Sequence, residues 1–152
     1  MIDSSVNWFL GGVTVSLGTS SELYNSERNS ANVYDGHAFT TNSVGVTTSI
    51  ALMYASDYGY AAPASCVNGI GDYDSIDNCK GNWLNSNSKY KEWLLTVLYT
   101  DEAYVLLKHT SGQVDNSGSY YGYAIRPVLY LKEDVYHLSG DGTPTNPYVI
   151  GM

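Results

Sequence analysis

The residues best equipped for chemistry lie between the chain's two cysteines. Asp72, Asp74 and Asp77, with Asn78, fall in the stretch VNGIGDYDSIDN that separates Cys66 from Cys79. Several carboxylates on one short loop are oxygen ligands of the kind Ca²⁺ takes. The spacing is not that of an EF-hand, since the Gly and the distant Glu expected after Asp74 are missing. The same pattern also describes a solvated acidic loop. In an exported protein Cys66 and Cys79 would close this loop as a disulfide worth on the order of 3 kcal/mol. Two reduced thiols are the alternative. Zinc is disfavoured, because two thiols with no nearby His fall short of four ligands.

Tyrosine is the second resource, with 15 in 152 residues. Each ring offers a broad apolar face and a hydroxyl, which suits half-exposed sheets and binding surfaces alike. Tyr54, Tyr58, Tyr60 and Tyr73, with the Tyr120-Tyr121-Gly122-Tyr123 turn, could form a stacking surface for sugars or a protein partner. The ligand-binding expectation rests on Tyr120, Tyr121, Tyr123 and Tyr73. The opposing reading packs each ring onto the sheet and satisfies its hydroxyl locally. Residues 116–123 should be exposed as a turn tip.

Other candidates are sparser. Arg126 lies among apolar neighbours and, if buried, needs a partner such as Asp57 or Glu27. His37, His109 and His137 are scattered without metal-ligand spacing, and His109 beside Lys108 is expected to end a strand at the surface. No nucleophile elbow, phosphate loop or His-Glu metal motif is present, so no catalytic residue is assigned.

These groups must be positioned by a sheet. Lys91 to Leu131 holds three apolar runs, 93–99, 103–107 and 123–131, rich in β-branched, aromatic and leucine residues. Polar breaks of Asp, Ser, Asn and Gly separate them, which predicts an antiparallel core sheet. Pro127 has no N–H for a ladder, so the last run needs an edge or a bulge there. Upstream, residues 5–10 read as a short strand anchored by Trp8 and Phe9, and 13–17 extend or pair with it. Thr19 and Glu22 have capping-box spacing before a helix over 20–29, with Leu23, Tyr24 and Glu27 on one side. Residues 33–34 read as a strand, Asp35-Gly36 as a turn and Phe39 as a core contact. A strand over 49–54 leads to a short helix over 58–62, capped at Ser56-Asp57 and ended by Pro63. Trp83-Leu84 reads as an anchor or half-turn, and the tail as turns closed by a strand ending near Ile150.

Composition limits the partners. Net charge is −8. Up to Cys79 there are eight acidic residues against Arg28 alone, and from Lys80 onward seven acidic against six basic. With no Lys/Arg cluster, neither nucleic acid nor anionic membrane is an expected partner. No run reaches the roughly 18 apolar residues of a membrane helix, so no membrane insertion by this segment is expected. Residues 1–20 lack a signal-peptide pattern, so the chain reads as cytoplasmic or as the mature part of something longer. Charged residues make up only 14%, which implies the neutral-polar surface common in secreted β-rich proteins.

Several phrases occur together in order: NWFLGG (7–12), ERNSANVY (27–34), IALMYASDYGYA (50–61), the cysteine pair before NWL (82–84), the WLLT run (93–96), GYAIRPVLYLKEDV (122–135) and SGDGTPTNPYVI (139–150). Across essentially the whole chain this resembles a family of uncharacterised bacterial domains in exported or cell-surface proteins, often behind pilin-type or other hydrophobic N-terminal segments. The C-terminal half more distantly resembles C-type-lectin-like and formylglycine-generating-enzyme-like domains. Their W-T/S-S strand, A-x-x-V strand, G-x-V turn and R-P-V strand match Trp93-Leu94-Leu95, Ala103-Tyr104-Val105, Gly112-Gln113-Val114 and Arg126-Pro127-Val128, with Leu-Leu-Thr replacing the usual Thr-Leu-Ser. The lectin calcium signatures Glu-Pro-Asn and Trp-Asn-Asp are absent. Formylglycine-generating enzymes use a cysteine pair near the domain's C-terminal end, whereas the pair here precedes Trp93, so that activity does not carry over. Some surface pilin domains contain a Lys–Asn isopeptide bond, in which Lys108 or Lys132 could take part.

The resulting expectation is one α+β domain over residues 1–152, C-type-lectin-like, with two short helices and a twisted antiparallel sheet. Its expected role is a non-enzymatic extracellular or cell-surface module, the head of a surface or pilus-like protein that binds glycan or protein through loops. The alternative is a structural subunit that self-assembles into a filament. A calcium- or copper-assisted enzyme is the least favoured reading.

Overall fold

The computed structural model describes residues 2–4, 6–9, 12–13, 17–28, 33–34, 37–38, 45–86, 89–98, 103–143 and 145–152. In chain order the strands and helices are β1 (Asn7–Phe9), β2 (Gly12–Val13), α1 (Ser20–Glu27), β3 (Val33–Tyr34), β4 (His37–Ala38), β5 (Gly45–Thr47), β6 (Ala51–Leu52), α2 (Ala55–Tyr60), β7 (Glu92–Leu98), β8 (Tyr104–Lys108), β9 (Val114–Gly118), β10 (Ala124–Ile125), β11 (Pro127–Val128), β12 (Tyr136–Ser139) and β13 (Val149–Gly151). Short 3₁₀ turns cover Ile70–Asp72, Asp77–Cys79 and Trp83–Asn85. Among the described residues this is an α+β arrangement of mostly open sheets with two helices, and no barrel. The turn expected at Asp35-Gly36 and the contact expected of Phe39 lie outside the described residues.

β7 is the hub. One edge pairs antiparallel with β8, which pairs antiparallel with β9. The other edge is shared: β10 runs parallel to its start, Ala124 opposite Glu92, and β2 runs parallel to its end, Gly12 opposite Val97. Between them, the Leu95 N–H donates to the Met53 carbonyl at 2.8 Å. The sheet is therefore mixed, not wholly antiparallel.

Two features of residues 91–131 explain the difference. β9 comes from Val114–Gly118, which the sequence presents as a polar break. Its Val114 and Gly118 face inward while Asp115 faces water. The apolar run 123–131 is not one strand. It leaves β7 after Ile125 and re-pairs with β6 at Pro127, so the chain changes sheets at Arg126. Pro127 cannot donate to a ladder, and a change of partner is one way to accommodate it.

β7 alternates strictly, with Glu92, Leu94, Thr96 and Leu98 inward. Leu94, Leu106 and Val114 pack against Leu23 of α1, Ala55 and Tyr58 of α2, and Ile70, Tyr73 and Cys79 of the cysteine loop. α1 starts as its capping box predicts: the Thr19 N–H donates to Glu22 Oε2 at 2.8 Å, and the Glu22 N–H donates back to Thr19 Oγ1. α2 begins three residues earlier than its expected start at Tyr58. Asp57 supports this start by accepting from the Tyr54 N–H at 3.4 Å, and Ser56 is buried inside the helix. The strand expected over 49–54 contracts to β6. The β8–β9 turn needs Gly112, whose φ of 103° is costly for other residues, and the Gly112 carbonyl accepts the Tyr58 hydroxyl at 2.6 Å. Of the two readings of Trp83-Leu84 the half-turn holds, as the 3₁₀ turn Trp83–Asn85: Trp83 is 68% exposed, and Leu84 packs on the core.

Candidate functional site

The cysteine loop is built from the inside. Cys66 and Cys79 form a disulfide with Cα atoms 4.8 Å apart. Ile70 and Tyr73 are buried and Ile76 packs on the core. Tyr73 therefore does not join a ligand surface. Its ring lies 6.2 Å from Tyr58 and its hydroxyl reaches the Gly59 carbonyl and Ser20 Oγ, both at 3.3 Å. Asp72 and Asp77 lie exposed among these inward-facing apolar residues, and Asp74 is half-buried. Asp77 is tied to Lys80 at 2.7 Å, and that hydrogen bond and charge hold its carboxyl below the ordinary range. Among the described residues no group of three or more His, Cys, Asp and Glu is placed to hold a metal. Asp72, Asp74 and Asp77 are thus not gathered into one such group.

The turn after β9 does present aromatic rings. Tyr120 is 73% exposed and Tyr121 54% exposed, while Tyr123 is half-buried. Their rings continue one another: Tyr120 to Tyr121 at 4.5 Å, Tyr121 to Tyr123 at 6.3 Å, and Tyr123 edge-on to Trp93 of β7 at 4.9 Å. The Lys91 ammonium lies 5.7 Å from the Tyr123 ring. The turn is pinned by Ser119 N–H to the Ala103 carbonyl at 2.7 Å and Tyr121 N–H to the Gly118 carbonyl at 3.1 Å. Gly118 leaves room for the Tyr120 ring, which a Cβ there would strike. The row is thus anchored in the sheet at Trp93 and open to water at Tyr120.

A groove of about 810 Å³ lies on another part of the surface, lined by Trp8, Tyr24, Arg28, Tyr54, Tyr130 and the segment 131–134 among others. The Arg28 guanidinium is sandwiched between Tyr24 at 4.0 Å and Tyr54 at 4.2 Å. It also pairs with Glu27 at 3.3 Å and Asp57 at 3.1 Å, and bonds Ser56 Oγ at 3.0 Å. Glu27 has no exposed surface, and its Oε1 accepts from the Ser56 N–H at 3.1 Å and the Thr96 hydroxyl at 2.6 Å. Burial raises the Glu27 carboxyl above its ordinary value, against the pull of those bonds and of Arg28.

Asp57 and Glu27 therefore serve Arg28, not Arg126. Arg126 instead bonds Glu92 Oε1 at 2.8 Å and the Leu84 carbonyl at 3.1 Å. His109, expected to end a strand at the surface, follows β8 and is half-buried, while Lys108 before it is fully buried at the end of β8, 3.7 Å from Glu92 Oε1. Polar networks thus occupy two positions on β7's inner face, Glu92 and Thr96. One signal for them is present in the sequence: Glu92 and Thr96 share parity with Leu94 and Leu98, so a strand there must bury all four. No protein-family model, curated protein or solved structure matches this chain.

Proposed function

We propose that the protein is a non-enzymatic, extracellular binding module that uses the turn after β9 to hold a glycan or protein ligand. The observation that carries this reading is the continuous row Trp93, Tyr123, Tyr121 and Tyr120, stiff at its sheet end and exposed at its tip. Rings of this kind supply contact area at little entropic cost. The disulfide supports an oxidising compartment. Among the described residues no helix is long and apolar enough to cross a membrane. The sequential hairpins β7–β8–β9 followed by Arg126-Pro127-Val128 support the finer reading of one C-type-lectin-like domain.

The test is a glycan and protein array probed with the oxidised protein, with and without Ca²⁺, beside Tyr120→Ala/Tyr121→Ala. Binding by the parent and at least a tenfold loss in the variant is the expected result. No binding, or equal binding by both, removes the row from the reading.

A second reading, a subunit of a surface assembly, is favoured by the C-terminal hairpin. β12 and β13 pair only with each other among the described residues. Tyr136 and Leu138 cover Gly151 on one face, while Tyr148 stacks edge-on with His137, 5.4 Å away. Tyr136, Leu138, Tyr148 and Val149 are all exposed, and exposed apolar surface on a two-stranded ribbon invites a partner. Concentration-dependent association in light scattering, abolished by Leu138→Lys, is the result this reading requires.

A further inference from the structure

Lys108 is the lysine of this chain with no exposed surface. It is held among groups that can react with it. Its Nζ lies 3.1 Å from Asn85 Oδ1 and 3.7 Å from Glu92 Oε1. Glu92 and Lys108 face each other across β7 and β8 in direct register. Asn85 closes the 3₁₀ turn Trp83–Asn85, which is fixed on three sides. The Asn85 N–H donates to the Asn82 carbonyl at 3.0 Å, the Asn82 amide donates to the Tyr58 carbonyl at 2.7 Å, and Arg126 grips the Leu84 carbonyl at 3.1 Å. The Asn85 amide nitrogen points towards Gly112, 3.0 Å from where a Cβ would sit. The amide therefore presents its oxygen to the lysine. Adding one C=O bond of about 1.2 Å to the 3.1 Å contact puts the Asn85 carbonyl carbon within about 4.3 Å of Nζ, one small approach short of an attack distance.

We propose that Lys108 and Asn85 join spontaneously in an intramolecular isopeptide bond, with Glu92 shuttling the proton. The Lys108 ammonium passes a proton to the Glu92 carboxylate, leaving a neutral amine and a carboxylic acid. The amine lone pair attacks the Asn85 amide carbon, and the acid stabilises the developing oxyanion by hydrogen bonding. The excess proton on the attacking nitrogen passes to the amide nitrogen by way of Glu92. The C–N bond to that nitrogen breaks, ammonia leaves, and the new amide joins the two side chains. Glu92 returns to carboxylate as ammonia leaves with the remaining proton as ammonium. No oxidant, reductant or cofactor is consumed. Burial lowers the Lys108 amine's affinity for its proton, and the Arg126 charge acts the same way against the attraction of Glu92. Arg126, 2.8 Å from Glu92, also orients the carboxyl. The product ties the end of β8 to the turn that precedes β7. The inference does not depend on what the tyrosine row binds.

The experiment is intact mass of the purified protein after reduction and denaturation, followed by tryptic peptide mapping. The expected mass is lower by one ammonia. Trypsin should fail to cut after Lys108, and a branched peptide should join Asn85 to Lys108. The branched peptide matters because a succinimide at Asn68-Gly69 also loses ammonia. Lys108→Arg should have the full mass. Glu92→Gln, checked for folding by circular dichroism, should slow bond formation by about a hundredfold or more. Asn85→Asp should give the same branched linkage with loss of water in place of ammonia. A parent protein of full mass that trypsin cuts after Lys108 overturns the proposal. A Glu92→Gln variant that cross-links at the parent's rate overturns the role given to Glu92.

Discussion

Thr96→Val changes one hydroxyl into a methyl at a position with no exposed surface. Two bonds disappear. The hydroxyl donates to Glu27 Oε1 at 2.6 Å and accepts from the Ala55 N–H at 3.0 Å. A hydrogen bond to a charged group is worth about 1.5–3 kcal/mol, and a buried donor left unpaired costs about 1–3 kcal/mol. Ala55 opens α2, so its N–H has no carbonyl within the helix to turn to. After allowing for the apolar gain of the methyl, the expected cost is about 3 kcal/mol. With a urea slope of about 2 kcal/mol/M, the unfolding midpoint falls by about 1.5 M. Thr96→Ser keeps both bonds and loses one methyl, for about 1 kcal/mol.

The cost also depends on pH. Burial holds the Glu27 carboxyl above its ordinary value, and the Thr96 bond pulls it partly back. The folded state thus retains this proton where the unfolded chain has lost it, and stability falls as pH rises from the ordinary carboxylate range to the folded value. Without Thr96 the folded value climbs further and that window extends upward. The gap between Thr96→Val and parent should be smaller near pH 4 than near pH 7. A valine variant as stable as the serine variant, or a gap that is flat between those pH values, would refute the account of Glu27.

Removing the disulfide by Cys66→Ala/Cys79→Ala should cost about 3 kcal/mol in the loop-closure picture for a separation of 13 residues, read as a denaturant midpoint shift with no further change on adding reductant. Burial pushes the Tyr54 hydroxyl up to about 12, and it donates to the Phe9 carbonyl at 2.8 Å. Stability should therefore fall as pH rises from the unfolded tyrosine value near 10 through the folded one, and Tyr54→Phe should flatten that alkaline loss in unfolding titrations. Arg126→Ala removes a partner of buried Glu92 and should cost about 3 kcal/mol, the low end for a broken buried pair because the Arg126 side chain is itself one-third exposed, 33%; equal stability in urea titrations would mean water already serves that carboxylate. Trp83→Ser should change stability by less than about 0.5 kcal/mol, since the ring lies in water.

The legible parts of the fold are those with local causes. The Thr19–Glu22 box marks a helix start because both partners lie within one turn. The β7 and β8 runs stand out because strand alternation and apolar content agree. The cysteine pairing follows from a short loop. The misreadings share a different cause. Val114-Asp115-Asn116-Ser117-Gly118 has little β-propensity, and β8 recruits it through a full antiparallel register. The split of residues 123–131 depends on β6, which lies far upstream. Tyr73 and Tyr120 are the same residue type in similar Asp- or Ser-rich loops, and only the packing of Ile70 and Ile76 distinguishes buried from exposed. Asp57 and Glu27, the partners expected of Arg126, pair with Arg28 because ion pairing in the core is decided by which elements meet, which composition does not encode.

β7 takes its neighbours from opposite ends of the chain, and this has a consequence for how the protein reaches its native state. The β7–β8–β9 meander closes short loops and can form early. β2 must find β7 across 85 positions, Gly12 to Val97 (97 − 12), and pairings between distant segments slow folding. α1 cannot bury Glu27 until residue 96 has been delivered and ordered. During synthesis the N-terminal third should therefore wait with this carboxylate hydrated, with its docking the late event. Amide protection should appear in residues 92–118 before it appears in residues 20–27. Substitutions that weaken the β2–β7 pairing alone should leave the N-terminal third exposed to proteolysis while the meander persists.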